Sequence, residues 1–126
     1  MVKFWFVLKI IVALFMIYAG VQHFLKPEFY LPFVPSFLPV QTFIVYLSGA
    51  VEIIIGVLLL TKKYQGLGSY ALLVLMLIFL PVHINDVISD TPAIGSQKAA
   101  VIRLVIQFLA IALCWKFKKM YYSKSS

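Results

Sequence analysis

Apolar residues run along this chain in four long blocks, Phe4–Phe24, Thr42–Thr61, Gly66–His83 and Ala99–Phe117. Each approaches the ~20 residues that an α-helix needs to cross a ~30 Å hydrocarbon core. The polar side chains that interrupt the blocks are not scattered. Gln22 and His23 close the first block, and Ser48 and Glu52 lie early in the second. His83, Asn85 and Asp86 close the third, and Arg103 and Gln107 lie early in the fourth. A chain threading up, down, up and down brings those four ends together. The pattern predicts an all-α polytopic membrane protein, one transmembrane domain over residues 1–126 folded as a four-helix antiparallel bundle. It also predicts a polar site toward one face, because ionisable groups at membrane depth cost several kcal/mol unless paired or hydrated.

The connections are uneven. Lys62-Lys63-Tyr64-Gln65 is a tight turn that closes the second and third helices into an antiparallel pair. Residues 26–41 contain Pro27, Pro32, Pro35 and Pro39, so they do not continue as a regular helix, yet they also carry Phe29, Tyr30, Phe33, Phe37 and Leu38. So apolar a loop is expected in the headgroup region or folded down as a lid over the bundle. Residues 86–98 hold the turn signal Ser89-Asp90-Thr91-Pro92. Helix periodicity puts Ser48, Gly49, Glu52 and Gly56 on one stripe, Gly20 one turn before His23, and Arg103 with Gln107 on another stripe. Small residues on such a stripe let a neighbouring helix come close, with Glu52 pointing inward. Pro81 offers no N–H to the Leu77 carbonyl, which adds a free acceptor near the cluster.

Composition sharpens the membrane reading. Of 126 residues 63% are hydrophobic and only 12% charged, too few to cover a soluble domain of this size. The net charge of +7 is segregated: Lys3, Lys9, Lys62, Lys63, Lys116, Lys118, Lys119 and Lys124 lie on one side, +8 in all. Lys26, Lys98 and Arg103 share the other with Glu28, Glu52, Asp86 and Asp90, a balance of −1. The positive-inside rule then places both termini and the Lys62–Lys63 turn in the cytoplasm, as expected of a protein of the prokaryotic cytoplasmic membrane. The lysines and tyrosines near the C-terminus read as an interfacial anchor on anionic lipid, and nucleic acid is not an expected partner. Lys9 breaks the first apolar run, which is also longer than a signal core, so that run is read as a retained span. The single cysteine, Cys114, supports no dithiol relay within the chain and reads as a packing residue.

For chemistry, Glu52 is the first candidate for binding or proton transfer, with Arg103, the only arginine, as a plausible partner; the alternative is a structural Glu52–Arg103 link that fixes helix register. His23 and His83 would stand diagonally across an up-down bundle. A bis-histidine haem is disfavoured, and no ligand spacing supports a metal site. Hydrogen bonding of His23, Glu52, His83, Asn85, Arg103 and Gln107 to a quinone carbonyl or another polar headgroup fits these side chains better. Hydrolase elbows, phosphate loops and an HExxH sequence are missing, and the chain is too short for an inverted-repeat transporter unless it forms a homo-oligomer.

The ordered set Tyr18-Ala19-Gly20-Val21-Gln22-His23-Phe24, Pro27-Glu28-Phe29-Tyr30, Tyr46-Leu47-Ser48-Gly49-Ala50-Val51-Glu52 and Phe79-Leu80-Pro81-Val82-His83-Ile84-Asn85 resembles DoxX-like membrane proteins, over about residues 13–115. The resemblance implies a four-helix integral membrane protein of a redox system, working as an accessory or quinone-binding subunit beside a membrane redox partner. The alternative it leaves is a non-catalytic assembly factor or chaperone-like protein gripping a client. The chain carries no electron-transfer centre of its own, so catalysis would call for a partner or a bound cofactor.

Overall fold

A computed structural model describes residues 2–34, 37–90 and 92–122; Pro35, Thr91 and Lys124 of the sequence reading lie outside the described residues. Four long helices carry the fold: α1 (Val2–Leu25), α3 (Gln41–Leu60), α4 (Gln65–Ile88) and α5 (Gln97–Phe117). Among the described residues there is no strand. All four helices are long and apolar enough to cross a membrane. Their outward surfaces suit lipid rather than water: Phe15 is 66% exposed and Leu109 67%, within continuous apolar faces. This architecture fits an integral membrane protein.

Consecutive long helices pack antiparallel. Between α1 and α3 the seam is glycine-lined, and a Cβ added to Gly20 would fall 2.5 Å from the Gly49 carbonyl oxygen. At the other end of the same seam, a Cβ on Gly56 would meet the Ala13 carbonyl oxygen at 2.8 Å. Backbones this close gain the dispersion contacts that drive helix association in lipid. Gly68 does the same between α4 and α3, against Leu58 and Leu59. Between α4 and α5, Gln107 Nε2 donates to the Met76 carbonyl at 2.7 Å.

The two ends of the bundle differ. At one end α1 begins, the Thr61–Tyr64 turn joins α3 to α4, and α5 finishes in a π-helical turn over Lys118–Tyr122. The apolar core, including Ala13, Leu59, Leu72 and Phe117, lies toward this lysine-rich end. Trp5 meets Phe117 edge-on at 6.5 Å and Lys116 lies over Trp5, joining α1 to α5. Lys9, almost fully buried, donates to Gln65 Oε1 at 2.6 Å and sits between the Phe6 and Tyr121 rings. The π-system faces and the amide stand in for a carboxylate partner.

At the opposite end the structure departs from the sequence reading in three places. The proline-rich connection is not irregular throughout: Pro27 starts a short helix, α2 (Pro27–Tyr30), followed by a 3-10 turn over Leu31–Phe33. Proline at the first helical position has no N–H to lose there, so it begins a helix that it could not sustain. α4 runs on past His83 to Ile88, through Pro81, because a spanning helix tolerates one missing N–H where its neighbours pack. α5 starts two residues early, since Ser96 caps it by accepting from the Ala99 N–H at 3.1 Å. Val40, with a left-handed φ of 48°, turns the chain into α3.

Candidate functional site

Five of the six candidate residues lie inside the lid end of the bundle, but in two groups rather than one. The first is built on the glycine seam. Gly49 lets α1 approach so closely that a Cβ there would fall 2.6 Å from His23 Cβ, and this turns the His23 ring inward along α3. Its Nδ1 lies 2.9 Å from the Val45 carbonyl and 3.0 Å from Ser48 Oγ, while Ser48 Oγ donates to the same carbonyl. A carbonyl only accepts, so Nδ1 carries the proton. The far nitrogen, Nε2, faces Glu52 Oε2 at 3.1 Å, with both side chains 9% exposed.

With Nδ1 protonated, one further proton, on the imidazole or on the carboxyl, relieves the repulsion between Nε2 and Oε2, and the pair shares it by charge rather than through an aligned hydrogen bond. The contact is close but off the hydrogen-bonding direction, and Oε2 is left buried with no aligned hydrogen bond. Glu52 therefore keeps an acceptor position free inside the protein.

The second group joins α4 to α5. Asp86, 5% exposed, accepts from the Ala93 N–H and from Arg103 Nη2, the latter at 3.3 Å. The expected Glu52–Arg103 pair is thus not formed: Arg103 pairs with Asp86 and Glu52 with His23. Asp86 and Arg103 flank the same α4–α5 hairpin, while the glycine seam sets His23 against Glu52. His83 sits in the field of Arg103 and Asp86, near Gln107. Two of its surroundings' polar atoms are unmet: His83 Nδ1 and Arg103 Nε are buried without hydrogen bonds. Asn85 lies on the exposed face of α4, away from this group.

The lid covers both groups. The Tyr30 ring lies 4.0 Å from the His23 imidazole, tilted by 32°, and the Phe33 ring lies 4.4 Å from the Arg103 guanidinium carbon. Phe29 touches both lid rings, so one aromatic patch spans the two polar groups. Burial raises the Tyr30 phenol above its ordinary pKa, and the charge of Glu52 and then Tyr18 push it the same way. An open groove of about 590 Å³ borders the lid, lined by Leu31, Leu38, Val40, Gln41, Thr42 and Phe43. Neither His23 nor Glu52 lines it.

The sequence reading overlooked Tyr30 and Phe33 as site residues and placed Asp86 only in the general cluster. Aromatic residues in an otherwise proline-rich connection were the available signal for the first two. Chemically, the arrangement offers a shared proton, a free carboxyl oxygen and two unmet nitrogens under an aromatic cover. Among the described residues no three His, Cys, Asp or Glu side chains gather as metal ligands.

Residues 12–118 match the family described as a domain of unknown function, DUF8561. The chain belongs to that family. The matched stretch takes in both polar groups and the lid. No curated protein and no solved structure matches the chain.

Proposed function

We propose that this chain is a DoxX-like accessory subunit of a membrane redox system that binds a quinone or a similar lipophilic small molecule at its lid end. The observation that carries the reading is the buried His23–Glu52 contact, with one shared proton and an unmet carboxyl oxygen. A quinone carbonyl accepts a hydrogen bond and a hydroquinone hydroxyl donates one; a protonated pair with a free acceptor serves either. Buried polar atoms left unmet cost about 1–3 kcal/mol each, which a bound polar headgroup would recover. Both termini are cytoplasmic on this reading, supported by the segregation of basic residues, and the lid end faces outward from a prokaryotic cytoplasmic membrane.

Titration of a short-tailed benzoquinone, decylubiquinone, into the protein in lipid nanodiscs tests this. Saturable binding that is lost in Glu52→Gln with the fold intact is the expected result; retained binding removes Glu52 from the site. A second reading, an assembly or chaperone-like membrane protein, is favoured by the Asp86 group, whose bonds to Ala93 and Arg103 are those of a structural staple. It expects a specific membrane client to co-purify and no small molecule.

A further inference from the structure

We propose that Tyr30 occupies the seat of the ligand's ring, and that a planar quinone or hydroquinone headgroup binds on the face of the His23 imidazole by displacing it. This rests on the quinone-binding reading and specifies where and how the headgroup sits.

Tyr30 itself resembles the ligand's headgroup. Its side chain is a six-membered ring bearing one hydroxyl, the same chemistry as half of a hydroquinone. It lies 4.0 Å from the imidazole that shares a proton with Glu52, close enough for the Glu52 charge to act on it. A tilt of 32° leaves this stacking imperfect, so a free planar ring could lie flatter on the imidazole than Tyr30 does. The chain that holds Tyr30 is also built for release. α2 is a single helical turn whose N-terminus has no side-chain cap, and the 3-10 turn that follows is equally uncapped. Ring contacts on His23 and Arg103 seat this segment on the bundle.

What lies beneath and beside the ring points the same way. Glu52 is more than nine-tenths buried, and its Oε2 faces inward with no hydrogen bond. The phenol of Tyr30 leaves that acceptor unmet, while a hydroquinone hydroxyl in its place would donate to it. The apolar groove reaches the lid at Leu31, the residue after Tyr30, yet His23 and Glu52 do not line it. Movement of Tyr30 joins the groove to the proton-sharing pair and gives a lipophilic tail an apolar path outward. Phe33, on Arg103, stays in place as the far wall.

Competition with an internal ring makes a prediction opposite to that of an ordinary contact. Affinity for reduced decylubiquinone, whose hydroxyls can donate to Glu52, measured in nanodiscs, rises roughly two- to tenfold in Tyr30→Ala, the worth of one aromatic contact removed from the competing state. Tyr30→Phe, which keeps the ring, binds as the unmodified protein does, and thermal unfolding confirms that both variants fold. Hydrogen exchange in residues 28–31 quickens when the quinone is added. Binding that is unchanged or weaker in Tyr30→Ala overturns the displacement while leaving the Glu52 site standing. No binding by the unmodified protein or by Tyr30→Ala overturns both.

Discussion

His23 Nε2 lies 3.1 Å from Glu52 Oε2, and the opposite nitrogen of the same ring is held by the Val45 carbonyl. The second contact sets the tautomer, and the first then favours one further proton on the pair. A buried pair of this kind is costly to break on one side only, because the remaining group is left uncompensated.

His23→Ala should therefore destabilise the protein by about 3 kcal/mol, whereas Glu52→Gln, which keeps shape and a hydrogen-bonding end, should cost about 1 kcal/mol. The double variant should cost clearly less than the two added together. Unfolding in mild detergent measures all three; strict additivity would show that the two side chains do not interact.

Arg103→Leu orphans Asp86, not Glu52, and is expected to cost about 3 kcal/mol. Adding Asp86→Asn should recover much of that loss, and adding Glu52→Gln should recover none. Rescue by Glu52→Gln would restore the diagonal pairing that sequence reasoning alone favoured.

That diagonal pairing shows where legibility stopped. The four spans and the convergence of polar ends were readable because apolar block length and up-down threading nearly dictate them. Which acid meets which base was not: Glu52, His83 and Asp86 are all within reach of Arg103 in an idealised bundle. What decided it is the glycine seam, where Gly20 and Gly49 let α1 lie close on α3 and set His23 against Glu52. The continuation of α4 to Ile88 was hidden by Asn85 and Asp86, polar residues that read as the end of a span. The lid was one of two placements its aromatics suggested, the other being the headgroup region, and that Tyr30 and Phe33 each cap one polar group was not read.

Gly49→Val should test the seam itself. The added side chain meets His23 Cβ and the Gly20 carbonyl, so α1 must move away from α3. Loss of stability of about 2 kcal/mol is expected together with loss of quinone binding, because His23 is drawn off Glu52. A variant that unfolds at the usual temperature and still binds would show that the close approach does not position the site.

Tyr30 makes a pH prediction. Burial, then the Glu52 charge, then Tyr18 raise its phenol above the ordinary value of 10.0. The folded protein thus keeps this proton to higher pH than the unfolded chain does. The stability that the neutral phenol contributes is complete below about pH 10 and is lost as the pH rises through the raised value. Ultraviolet difference titration of phenolate should show a late-titrating component that is lost in Tyr30→Phe and moves to lower pH in Glu52→Gln. Ionisation of every tyrosine near pH 10 would contradict the seating of Tyr30 beside Glu52.

The most direct test of the proton-sharing pair as a ligand site is native mass spectrometry of the protein extracted from its own membrane in mild detergent, beside Glu52→Gln prepared identically. The account predicts one isoprenoid quinone per chain in the unmodified protein and none in the variant. Bulk phospholipid alone in both, accompanied by a reproducible protein partner, would contradict it and leave an assembly role in its place.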